Sequence, residues 1–110
     1  MAATAQFRKF IEDHLSDLGA VTTRPMFGGA GVYLGGTMFA LIADDTLYIK
    51  ADAINQADFI RAGASAFVYQ GKGRPVTMSY WRAPDVLLED REEMAVWARA
   101  GLMAAARAKR

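Results

Sequence analysis

The chain has 110 residues, 53% of them hydrophobic, including six Phe, two Trp and six Met, which is enough apolar material for a folded core without a metal or disulfide staple. It has no cysteine, which excludes disulfide frameworks, thiolate zinc sites and cysteine nucleophiles, and its 13 basic and 12 acidic residues leave a net charge of +1, too little for a global field that recruits nucleic acid or an anionic membrane. No apolar run approaches the roughly 18 residues of a membrane span and no charged leader precedes an apolar stretch, so the expectation is one cytoplasmic domain over residues 1–110, with no membrane partner.

From Thr4 to Leu18, the residues Phe7, Phe10, Ile11, Leu15 and Leu18 recur at spacings of three and four before Gly19, which predicts an amphipathic helix. The period then changes to two. Val32 with Leu34, Phe39 with Leu41 and Leu47 with Ile49 predict three strands, joined by two-residue hairpin turns at Gly35-Gly36 and Asp44-Asp45. Asp52 is placed to cap a short helix that includes Ile54, Ala57 and Ile60 and stops at Gly63. Phe67 to Gln70 and Val76 to Trp81 read as strands flanking the connection "GKGRP", and Pro84 closes the strand region. Asp90, with Glu93 three residues on, opens a last helix toward Lys109 that gathers Met94, Trp97, Ala98, Gly101, Leu102 and Ala105 on one face. The order α-β-β-β-α-β-β-α with short early links predicts a two-layer α+β fold, an antiparallel sheet with helices packed on it.

The stretch "RPMFGGAGVYLGG", Arg24 to Gly36, raises a choice between a phosphate cradle and a corner of the sheet. A dinucleotide fingerprint starting at Gly29 needs glycine where Leu34 stands, and no Gly-Lys-Ser/Thr follows. The glycines also lead into a strand rather than a helix N-terminus, so Gly28, Gly29 and Gly31 are read as letting the first strand bend over the core. His14, the single histidine, lies along the apolar stripe of the first helix and reads as a packed or rim residue without companion ligands. Asp44-Asp45 reads as turn chemistry, and no metal or cofactor site is predicted.

Positive charge is scattered. Arg107, Lys109 and Arg110 end a helix that begins at Glu89, Asp90, Glu92 and Glu93, as its dipole favours, and Lys72 with Arg74 forms a second small spot. Direct nucleic-acid binding is therefore expected to be weak or absent. Tyr33, Tyr48 and Lys50 alternate away from the apolar strand positions and mark an outer sheet face; no RNA-recognition run accompanies them, so a protein surface accounts for them. In "MFALIA" the pair Phe39 and Leu41 and the set Met38, Ala40 and Ile42 are both apolar, which leads to the expectation of a homodimer through Tyr33 and Tyr48 or through Val96, Ala100 and Met103 of the last helix. No catalytic constellation assembles. A regulatory or interaction domain is the leading expectation, and a small-ligand or enzymatic domain with a pocket near Arg24, Tyr33 and Trp81 is the alternative.

The strings "RPMFGGAGVYLGGTMFALIADDTLYIKAD", "FVY", "MSYWRAPDVLLED" and "EEMAVWARAGLMAA" resemble the TfoX N-terminal domain family, also called Sxy-like, over nearly the whole chain. The most specific positions are Arg24, Met26, Phe27, Gly28, Gly29 and Gly31, the "MFALI" and "LYIK" strands, and Ser79, Tyr80, Trp81 and Pro84. The resemblance implies a two-layer α+β fold similar in outline to secretion-chaperone-like domains. Longer members of that family are regulators of natural competence that act with the cyclic-AMP receptor protein at promoters, and they carry a further helical domain suited to nucleic-acid contacts. The resemblance thus implies a protein partner in the transcription machinery and brings no catalytic residue with it.

Overall fold

The computed structural model describes residues 3–26, 28–70 and 73–109. Helix α1 (Ala5–His14) and a 3₁₀ turn (Ser16–Leu18) lead into strands β1 (Val21–Met26), β2 (Gly29–Leu34), β3 (Thr37–Ala43) and β4 (Thr46–Lys50). Helix α2 (Gln56–Arg61), strands β5 (Ala66–Gln70) and β6 (Pro75–Arg82), a 3₁₀ turn (Asp85–Glu89) and helix α3 (Arg91–Ala108) complete the order. The strands form one antiparallel sheet ordered β1-β2-β3-β4-β6-β5. The α+β class is as expected, with one strand more.

That strand is β1, and its polarity explains why no apolar rhythm announces it. Thr23 points toward α1, where its hydroxyl accepts from Arg8 Nε at 3.0 Å and donates to Glu12 at 2.7 Å, so a hydrogen-bonded triad stands where a hydrophobic residue would otherwise pack. Pro25 is tolerated because β1 lies at the sheet edge.

The glycine-rich stretch is a corner, as expected, but it is a hairpin rather than one bent strand. Arg24, Pro25 and Met26 close β1 while Gly29, Ala30 and Gly31 open β2, and Pro25 pairs with Ala30. Gly28 turns the chain at φ +76°, and Phe27 lies outside the described residues. Gly29 runs so close to β3 that an added Cβ would overlap the Ile42 carbonyl oxygen. The turns Gly35-Gly36 and Asp44-Asp45 both have positive φ at both residues, the twist that two-residue hairpins favour. Asp45 also anchors the first helix, because its carboxylate accepts from the Thr4 N–H at 2.8 Å and fixes the start of α1.

In the centre of the sheet, Val32 pairs with Ala40 but Tyr33 pairs with Met38, which leaves Phe39 as an extra residue on β3. The bulge corrects the face assignment expected from strict alternation. Phe39, Ala40 and Ile42 all join the core cluster, whereas Met38 and Leu41 lie on the opposite face. The core also takes Ile11 and Leu15 from α1, Phe59 from α2 and Met94, Ala98 and Ala105 from α3, so the helices share one side of the sheet.

Helix α3 opens as expected, with the Asp90 carboxylate accepting from the Glu93 N–H at 3.0 Å. Its small residues Ala98, Gly101 and Ala105 are buried, and Gly101 sits against Ile49 and the backbone of Phe39 and Lys50. Helix α2 differs from expectation. It begins at Gln56, Asp52 bonds the Ile54 N–H ahead of it, and it buries Phe59 while Ile54 and Ile60 stay exposed. Gly63 ends it at φ +76°. Gly71 and Lys72 of the "GKGRP" connection, and Arg110, lie outside the described residues.

The far end of α3 is clamped. Arg107 donates from Nε and Nη2 to Asp52 at 2.6 and 2.9 Å, a two-bond fork that ties α3 to the segment after β4. The guanidinium holds the Asp52 carboxyl at about 2, below its ordinary 3.8, and the Arg107 pKa is raised in return.

Two outcomes follow from this packing. Gly29→Ala forces backbone apart at the β2–β3 contact, so its thermal melt reports a loss of about 2–3 kcal/mol, and nucleotides do not raise the melting temperature of the unmutated protein. The Asp52 contribution has a depressed folded pKa, so it is complete above the unfolded value and fades as pH falls from 3.8 toward 2; Asp52→Asn flattens that part of a Tm-against-pH curve.

Candidate interaction surface

Alternation along the strands, corrected for the bulge, sends one set of side chains away from the helices. Arg24, Tyr33, Met38, Leu41, Tyr48, Lys50 and Tyr80 belong to this outer set, as their pairings show: Leu41 opposite Gly31 and Tyr48, Tyr48 opposite Arg82, and Lys50 opposite Tyr80. Gly31 leaves room here for Met26, Tyr33 and Met38, since an added Cβ would stand 2.9 Å from the Met26 sulfur and 2.9 Å from the Tyr33 ring.

The cations on this face are seated on rings. The Arg24 guanidinium lies 5.1 Å from the Tyr33 centroid and the Lys50 ammonium 5.2 Å from that of Tyr80. Lys50 also donates to Ser79 Oγ at 2.5 Å. Tyr48 is covered by Phe67, whose ring centroid is 4.9 Å away, because β5 curls over the sheet. The curl brings Phe67 to the same small apolar cavity as Leu41 and Met26, which explains why Leu41 is only 5% exposed without any helix above it. A cleft of about 210 Å³ separates Phe67 to Gln70 from Gly28, Gly29, Ala43 and Asp44.

Burial, with Tyr33 as a second cause, raises the Tyr80 pKa above its ordinary 10.0, so its phenol stays neutral and able to donate. Charge on the sheet is one-sided. Among the described residues, the six strands contain Arg24, Lys50 and Arg82 but no Asp or Glu; the 12 acidic residues of the chain lie in helices, turns and loops. Arg82, at the rim, is shared with Asp85 at 3.3 Å.

The expected pocket near Arg24, Tyr33 and Trp81 does not form. Arg24 and Tyr33 meet on the outer face, but Trp81 turns to the helix side, 6.3 Å from the Phe59 ring centroid and packed on the core. Tyr80 and Trp81 are consecutive in β6 and so point to opposite layers. Met26 borders the outer face; Pro84 leads into the second 3₁₀ turn, its carbonyl accepting from the Leu87 N–H at 3.0 Å. Val96 and Met103 are 55% and 61% exposed on α3, away from the sheet. His14 donates from Nε2 to the Leu87 carbonyl at 2.7 Å and stacks on Phe10, a packed residue as expected. Arg107 of the basic tail is committed to Asp52, and Lys109 donates to Thr37 at 3.1 Å. Among the described residues no three His, Cys, Asp or Glu side chains gather closely enough to hold a metal, and no helix is long and apolar enough to cross a membrane. Sequence reasoning misses Phe67 and Arg82 as members of the face, although the absence of acidic residues from every strand segment is a signal in the sequence.

The family model described as the TfoX N-terminal domain matches residues 13–105. The chain is 28% identical over 76 residues to Protein Sxy of Escherichia coli, covering 69% of this chain and 36% of that protein. It is 33% identical over 64 residues to DNA transformation protein TfoX1 of Aliivibrio fischeri, covering 58% of this chain and 31% of that one. The matched region thus spans about a third of each relative's length.

The Tyr80 geometry is open to titration. Its phenolate absorbance appears above pH 10.0, and Tyr33→Phe lowers that midpoint by removing the second cause of the shift. Tyrosine absorbance followed against pH in Tyr80→Phe and Tyr33→Phe identifies the transition.

Proposed function

This chain belongs to the TfoX N-terminal domain family, and we propose that it is a regulatory, protein-interaction domain that docks a partner on the outer face of its sheet. Its family and relatives support reading it as a competence-regulator-like domain, and neither of their names is that of an enzyme. One relative is named for DNA transformation; carried over to this chain, the proposed setting is control of that process, and the family resemblance adds the proposal of a cytoplasmic partner from the transcription machinery.

One observation carries the reading. Helices cover a single side of the sheet, and the other presents Tyr33, Met38, Tyr48 and Tyr80, all half-buried, beside Arg24 and Lys50. Tyrosine, methionine and arginine are the residues that protein interfaces enrich, because each combines a large apolar body with a polar or adaptable end. The family likeness and this face support the same conclusion from different directions.

Capture from a native lysate, paired with a metabolite screen read by thermal shift, tests the reading. Reproducible protein partners without metabolite shifts are the expected result. A specific metabolite that raises the melting temperature, with no protein retained, overturns it.

A further inference from the structure

The outer face has a charge asymmetry that the whole-chain figure hides. The net charge of the chain is +1, but among the described residues the strands carry three cations, of which Arg82 is shared with Asp85, and no carboxylate. Arg24 and Lys50 lie over the rings of Tyr33 and Tyr80 at 5.1 and 5.2 Å, and Lys50 also donates to Ser79. Positioned cations lose less side-chain entropy on meeting a partner than mobile ones do. Between their strands lie the half-buried Tyr33 and Met38, and the phenol of Tyr80 stands beyond Lys50 on β6.

We propose that this face seats an acidic, extended segment of a partner protein, whose carboxylates meet Arg24 and Lys50 while its apolar side chains lie over Met38 and Tyr33. The proposal rests on the interaction-domain reading above and adds the chemistry of the partner. Charge complementarity selects an acidic segment, because an acidic residue finds no like charge on any strand. A second copy bound face to face sets Arg24 and Lys50 against the same cations. A single-stranded nucleic acid needs open ring faces for its bases, and here Arg24 lies over Tyr33, Lys50 over Tyr80 and Phe67 against Tyr48.

The test uses a peptide of alternating Glu and Leu, the same peptide with Lys in place of Glu, and an oligothymidylate, each titrated into the full ¹⁵N-labelled chain. The Glu-Leu peptide is expected to shift amides of β2, β3, β4 and β6, the Lys-Leu peptide to shift none, and the oligothymidylate to bind more weakly than the Glu-Leu peptide. Arg24→Glu and Lys50→Glu should each weaken the Glu-Leu peptide by about tenfold, with Lys50→Arg retaining binding and Val96→Asp leaving it unchanged. Thermal melts establish that each variant is folded, and the conservative Lys50→Arg and the exposed Val96→Asp keep the comparison valid if a reversal is not. Equal binding of the Lys-Leu peptide, shifts confined to α3, tighter binding of the oligothymidylate, or concentration-dependent shifts on this face without peptide each overturn the proposal, the last two in favour of nucleic acid and a second copy. Capture of a native partner that is unaffected by Lys50→Glu overturns this placement alone; failure of the unmutated chain to capture any protein overturns the interaction-domain reading itself.

Discussion

One extra residue on the central strand determines which side chains this molecule buries and which it shows. With Val32 opposite Ala40 and Tyr33 opposite Met38, Phe39 has no partner on β2, and the alternation of β3 shifts by one at that point. Phe39 can then share the helix side with Ala40 and Ile42, all 1% exposed or less. Without the shift, either Phe39 or the Ala40 and Ile42 pair would leave the core, since a one-residue slip exchanges the two faces. Small side chains on α3 complete the arrangement: Gly101 rests on Ile49 and on the backbone of Phe39 and Lys50, where a larger residue would lift the helix from the sheet.

Polar contacts then hold the helix layer in place from its ends. Arg107 reaches Asp52 at the C-terminus of α3, and near its N-terminus Arg91 reaches the Asp13 carbonyl at 3.1 Å and the Ser16 hydroxyl at 2.8 Å. Asp45 anchors α1 through Thr4. Carboxylates serve the helices, caps and turns, and the sheet has none. The same division that stabilises the helix layer leaves the outer face positive and aromatic. Fold and proposed function are therefore linked through where acidic residues are placed, in helices, turns and loops rather than on the described strands.

Much of the fold is legible in the sequence, and the exceptions have physical causes. Helices α1 and α3 are visible because a continuous apolar face repeats over several turns, and the hairpins because Gly35-Gly36 and Asp44-Asp45 favour positive φ. Strand β1 is hidden because Thr23 satisfies α1 by hydrogen bonds instead of apolar contact. The bulge is hidden because every residue of "MFALIA" is apolar, so the pattern contains no polar mark to fix the register. The outer face is partly visible at Tyr33, Tyr48 and Lys50, but the split of Tyr80 from Trp81 requires knowing which side of β6 meets Phe59. Phe67 escapes sequence reasoning because the curl of β5 over Leu41 is a tertiary event that strand periodicity does not encode.

The central claim is that the uncovered sheet face receives an acidic partner segment. A photo-crosslinking amino acid installed at Met38, with a second chain carrying it at Val96, maps the contact in native lysate. The account predicts a covalent product from position 38, in which the attached partner peptide is rich in Asp and Glu, and none from position 96. Products from position 96 alone, or a position 38 product whose attached peptide is neutral, basic or derived from a second copy of this chain, would contradict it.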